Sequence, residues 1–308
     1  MVANGAAAAY LAKDADFHRP KQLNARVGND FAGSDIYGIG VRVGFYLQGI
    51  AFAMNAFTSE TRKGMLLAAA SVQAAILASL SVLLSRDSIS PAEMLIILDM
   101  IAFTTLPAIL ALMTVDSGGQ GLGVVLFVVD TLWANGLTTW FWAKGYNTLP
   151  LLGTSNAGFI YTRVQIDGWF RTFSLVYASL AWVGEVGILI LGAYLLQRSF
   201  GYFEGEENEF KESSIIDFIL PFIPSSALVM LIFTIPLLVV ATEKMIQWND
   251  LSPTTDLSAP GQVIPFAVGV VGLCDASLGI IRHLVTKGDS ALGGRTTVQR
   301  RRQGQYVR

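Results

Sequence analysis

Seven stretches of about twenty apolar residues follow one another along this chain, with short polar connections between them. They lie at roughly 38–57, 65–84, 92–113, 121–143, 173–196, 215–241 and 263–284. A helix needs about 20 apolar residues to cross the ~30 Å hydrocarbon core of a bilayer. Inside that core every backbone N–H and C=O must be satisfied within the protein, which leaves helices or closed barrels. Block length decides between them. The pattern predicts an all-α polytopic integral membrane protein, a bundle of about seven transmembrane helices over 35–284. A polar tail, 1–34, precedes it and a basic tail, 285–308, follows. Charged residues make up only 14%, against about 25% in soluble domains, which excludes an ordinary soluble domain.

The first span carries the most unusual chemistry. Gly40, Gly44 and Gln48 recur every four residues and so share one helix face. Small residues at that spacing let another helix approach closely. Gly272 and Ala276 offer a similar face in the last span. Arg42 sits about a turn inside the predicted membrane edge, where a cation needs a partner or a route to water. The run Asp35 to Gly49, DIYGIGVRVGFYLQG, resembles the first span of a set of filamentous-fungal multi-pass membrane proteins of unassigned function. Those share D-x-Y-G-x-G-x-R-x-G-x-Y-L-Q. The resemblance implies a fungal origin, singles out Asp35, Tyr37, Arg42 and Gln48, and lends no chemistry.

A second feature is a layer of polar residues. Counted from the N-tail side, Gln48, Gln73, Asp130, Glu185 and Asp275 fall roughly 15–20 Å deep at 1.5 Å per residue, with Asp99 shallower. A charge at the bilayer centre costs roughly 2.5–3.5 kcal/mol, so these acids must face the bundle interior. The expectation is an Arg42–Asp99 pair, structural or gating, with Asp130, Glu185 and Asp275 protonated or hydrated.

That layer supports one functional reading first: a membrane channel or transporter for cations or protons, with Asp130, Glu185, Asp275, Gln48 and Gln73 along the path. The alternative is a seven-helix sensor, receptor or scaffold in which the acids brace the helices, the 144–172 connection, a candidate lid, binds a ligand and the Arg-rich tail meets a partner. A self-assembling homo-oligomer is a third reading. An enzyme ranks last, because no nucleophile–base set is visible, and no cofactor is called for. His18 and His283 show no metal spacing, and Cys274 alone forms no disulfide within one chain. A retinal protein needs a lysine in the last span, and Lys287 lies beyond it. The tail arginines Arg300, Arg301 and Arg302 suit anionic lipid better than nucleic acid. Basic residues lean only slightly towards a cytoplasmic C-terminus, in the plasma membrane or an internal one.

Overall fold

Helix α1, Ile39–Thr58, is the element around which the others assemble. In the computed structural model, which describes residues 35–58, 64–114, 121–150, 157–160, 162–204, 223–251, 255, 257 and 259–304, no residue from Ile36 to Ala56 is exposed. Helix α7, Pro260–Gly304, packs along one side of α1, and α3, Pro91–Thr114, packs along another. Helix α6 closes the remaining side. It runs through Ile223–Val229, a π-turn at Met230–Thr234, and Ile235–Trp248.

A second row flanks this group. Helix α2, Met65–Ser85, packs on α4, which runs as Gly121–Trp140, a π-turn at Phe141–Gly145 and a last turn at Tyr146–Thr148. Helix α5, Trp169–Glu204, packs on α4 and forms the outer flank. Its outward face carries Phe173, Val176, Tyr177, Leu180, Val183 and Ile190, all exposed. Among the described residues, six helices are long and apolar enough to cross a membrane. The protein is therefore an all-α polytopic membrane bundle, and its outer apolar faces meet lipid.

Helix α1 is not among those six. Its surroundings explain why. A helix enclosed by protein need not be apolar all round, so it accommodates Arg42, Gln48 and Asn55, all buried. Contact with α7 is made backbone to backbone. A Cβ on Gly40 would meet the Gln262 carbonyl oxygen at 2.5 Å, and one on Gly44 would overlap the Pro265 carbonyl. From the other side, a Cβ on Gly269 would meet the Gly44 carbonyl oxygen at 2.5 Å. Glycine is the residue that permits such an approach between membrane helices.

The π-turn in α6 sits just before Pro236. Proline has no N–H to donate and its ring clashes with the carbonyl four residues back, so the ladder widens there by one residue. The helix then continues to Trp248, well past the predicted end near 241. That extension brings Glu243 inside the helix.

Within the 144–172 connection the chain forms an antiparallel hairpin, β1 at Ala157–Ile160 and β2 at Thr162–Gln165. Asn249 ties β1 to the end of α6. Its Oδ1 accepts from the Ala157 N–H at 2.9 Å and its Nδ2 donates to the Ala157 carbonyl at 2.8 Å. Phe159 stacks on Trp248 with centroids 5.7 Å apart. The hairpin is an anchored cap on this end of the bundle. The expected tail 1–34, most of the acidic connection 204–212 and the side chains of Arg300–Arg302 lie outside the described residues.

Candidate functional site

Two kinds of polar site are buried in the bundle, one largely partnered at its N-tail edge and one with several unpartnered atoms at mid-depth. The edge site begins at Ser90, which caps α3. The Ser90 N–H donates to Glu93 Oε2 at 2.9 Å while the Glu93 N–H donates to Ser90 Oγ at 3.3 Å. This is a capping box, in which two free N–H groups of a helix start satisfy each other's residues. Tyr37, wholly buried just before α1, adds its hydroxyl to Glu93 Oε1 at 2.9 Å. Burial, and then the Glu93 carboxylate, raise the Tyr37 phenol above its ordinary value, so it stays a neutral donor. Tyr37→Phe strands that carboxylate oxygen. The expected result is a loss of about 1–3 kcal/mol of stability with the fold intact, read as a lowered unfolding temperature in detergent. A wild-type temperature would remove the bond from the account.

Gln262 closes the same edge. Fully buried in the first turn of α7, it accepts from the Gly40 N–H at 3.0 Å and the Val41 N–H at 3.3 Å, and donates to the Asp35 carbonyl. A side chain from one helix thus satisfies free amides at the start of another. Arg171 makes the matching link between α5 and α4, donating to the carbonyls of Trp142 and Ala143, each at 2.9 Å.

Arg42 corrects the sequence expectation. Its partner is Glu243 on α6, with Nη1 2.6 Å from Oε2, and not Asp99. Tyr46 donates to the other Glu243 oxygen at 3.0 Å. Arg42 lies about a turn from the start of α1 and Glu243 about a turn from the end of α6, so the two meet at one depth. Asp99 lies half-buried farther along α3. Of the positions the resemblance singles out, Tyr37 and Arg42 hold the edge network through their side chains and Asp35 through its carbonyl.

The mid-depth residues fall into separate groups. Gln73 of α2 donates to Thr105 of α3 at 3.4 Å, a long brace between two helices. Asp130 and Glu185 belong together at the α4–α5 interface. Asp130 is 1% exposed and Glu185 8%. The Thr131 hydroxyl, next to Asp130 and facing Glu185, donates its proton to the Val128 carbonyl at 2.9 Å. One oxygen of each acid, Asp130 Oδ2 and Glu185 Oε2, has no partner among the described residues, and neither has Asn135 Nδ2 one turn on. Asp275 does not join them. With Gln48 it lines a cavity between α1, α2 and α7 to which neither α4 nor α5 contributes. The sequence-expected trio of Asp130, Glu185 and Asp275 is thus split between two places.

Gly272 and Ala276 lie buried on the inner face of α7, Gly272 3.4 Å from Met65 by its notional Cβ. The small stripe Ser71, Ala75 and Ser79 on α2 points out of the bundle, and both its hydroxyls donate to carbonyls four residues back. Among the described residues no group of three or more His, Cys, Asp or Glu is arranged to hold a metal.

Glu243, Glu93, Gln262 and Asn249 are residues of these networks that the sequence analysis missed, all but Glu243 buried. Ser90-x-x-Glu93 before an apolar run is a capping-box signature, so Glu93 was findable. Glu243 was hidden by a span end placed too early. Gln262 and Asn249 act through contacts distant in sequence, for which no local pattern exists. No protein-family model matches the chain, and no curated protein or solved structure is significantly similar to it.

Proposed function

We propose that this membrane protein is a channel or transporter that passes protons or cations, and that Asp130 and Glu185 are the carboxyls the ion meets. One observation carries the reading: two buried acids on facing helices each keep an oxygen without a partner among the described residues. Both acids lie well inside their helices, more than two turns from either end. Leaving a polar atom unsatisfied at that depth costs several kcal/mol. A brace between helices would satisfy those oxygens, as Gln73 does with Thr105. A site that takes up and releases an ion leaves them open. Thr131 and Asn135 supply the hydroxyl and amide that would hold the occupied form or a water beside it.

The test is flux in liposomes under an imposed potential, with proton and potassium followed separately. Wild-type protein is expected to conduct one of them. Asp130→Asn and Glu185→Gln should each lower that flux by about tenfold or more, a barrier increase of roughly 1.4 kcal/mol. Asp275→Asn, in the other group, should stay close to wild type. Absence of flux from folded protein across pH 5–8 would end this reading in favour of a sensor or scaffold.

A further inference from the structure

The cavity between α1, α2 and α7 has a volume of about 650 Å³, within the range of roughly 300–1,000 Å³ typical of small-molecule sites. Its residues run along α7 from Ala267 to Leu278, a length of about 16 Å at 1.5 Å per residue. On the α2 side they begin at Gly64 and Met65. Apart from Gln48, Cys274 and Asp275 the walls are apolar. Val270, Val271 and Leu278 border the cavity and are also exposed on the outer surface of α7. The opening therefore faces hydrocarbon rather than water, and whatever enters does so from the bilayer.

Gln48 gives the site its chemistry. It is 1% exposed, and neither its Nε2 nor its Oε1 has a partner among the described residues. A primary amide buried with both ends free is costly, because desolvation is complete and nothing offsets it. It is matched by a group that donates and accepts at once. A hydroxyl does this: it donates to Oε1 and accepts from Nε2. With Asp275 of α7 also lining the cavity, a neutral head suits the site better than an anionic one.

We infer that this cavity binds, from the bilayer, a neutral lipid-soluble alcohol whose apolar body fills the cleft between α2 and α7 and whose single hydroxyl seats on Gln48. Sterols and diacylglycerols both carry that chemistry. The site is independent of the Asp130–Glu185 group, so it holds whether or not the protein conducts ions.

Full-length protein in phosphatidylcholine nanodiscs would be titrated with a photoactivatable sterol and, separately, a photoactivatable diacylglycerol, and the labelled peptides mapped. Saturable labelling by one of the two is expected, within 64–69 and 267–278. Gln48→Leu should weaken it by about tenfold or more, while leaving thermal stability equal to wild type or higher, since the amide it removes has no partner to lose. Ala68→Phe keeps the amide and fills the cleft, so it should lose labelling equally, and it stands in if Gln48→Leu misfolds. Labelling that rises linearly with either probe, ignores both substitutions, or maps elsewhere would overturn the inference.

Discussion

Gly44→Leu is expected to leave little monodisperse protein in detergent, the most severe single substitution outside the charged edge. The reason lies in what the glycine faces. A Cβ at this position runs into the Pro265 carbonyl and the Phe266 N–H, which are backbone and have no rotamer to escape to. Helices in a bilayer gain little from burying apolar surface against each other, because lipid is equally apolar, so close packing supplies most of their association. Forcing α1 and α7 apart removes that packing, opens the Gly269–Gly44 contact and pulls Gln262 away from the free amides it satisfies. Overpacking costs about 1–3 kcal/mol where side chains can adjust, and more where they cannot. Gly184→Leu is the control. Nothing lies within 4 Å of a Cβ there, and the residue is exposed on α5. It should be neutral or mildly stabilising, since leucine is the better helix former by about 1 kcal/mol. Size-exclusion profiles and unfolding temperatures of the two variants check this directly. Equal behaviour would mean that α1 and α7 do not meet through these glycines.

The helices were legible because a bilayer imposes a length on them, and runs such as 92–113 or 263–284 are long enough to carry the signal unaided. Their ends were less so. Helices α5 and α6 continue beyond their apolar blocks, to Glu204 and Trp248, because helical hydrogen bonding does not stop where the hydrocarbon does. Helix α1 was recognisable as special from Gly40, Gly44 and Arg42 together. That it is enclosed on all sides is a property of its neighbours, which no local pattern reports.

The candidate site was legible in depth but not in azimuth. Counting residues along each span places Asp130, Glu185 and Asp275 in one expected layer, and each lies well inside its helix, more than two turns from either end. Counting does not say which helices adjoin. Helix α2 stands against both α4 and α7, so acids at one depth end in different surroundings. The Arg42–Asp99 expectation failed for a related reason: it matched depth over six of the spans and left the true end of α6 out of the comparison.

The pairing that replaces it makes an asymmetric prediction. The Arg42 side chain is 8% exposed and that of Glu243 47%. Glu243→Gln strands a cation that is already buried and whose Nε has no partner among the described residues. Removing one partner of a buried ion pair costs about 3–5 kcal/mol, because the remaining charge keeps its full desolvation penalty. Arg42→Met preserves the length of the side chain and leaves Glu243 half-exposed, able to hydrate and still hydrogen-bonded to Tyr46. Its cost should be about 1 kcal/mol, closer to that of a surface pair. The double variant Arg42→Met/Glu243→Gln removes both charges and should recover most of what Glu243→Gln loses, a coupling of about 2 kcal/mol or more. Unfolding temperatures of the four proteins in one detergent close the cycle. If Arg42 instead reached water alone, Glu243→Gln would be mild and the double variant would be no better than the sum of its parts. The severe single variant and its rescue by a second substitution are together the signature of a cation held inside the bundle by one carboxylate.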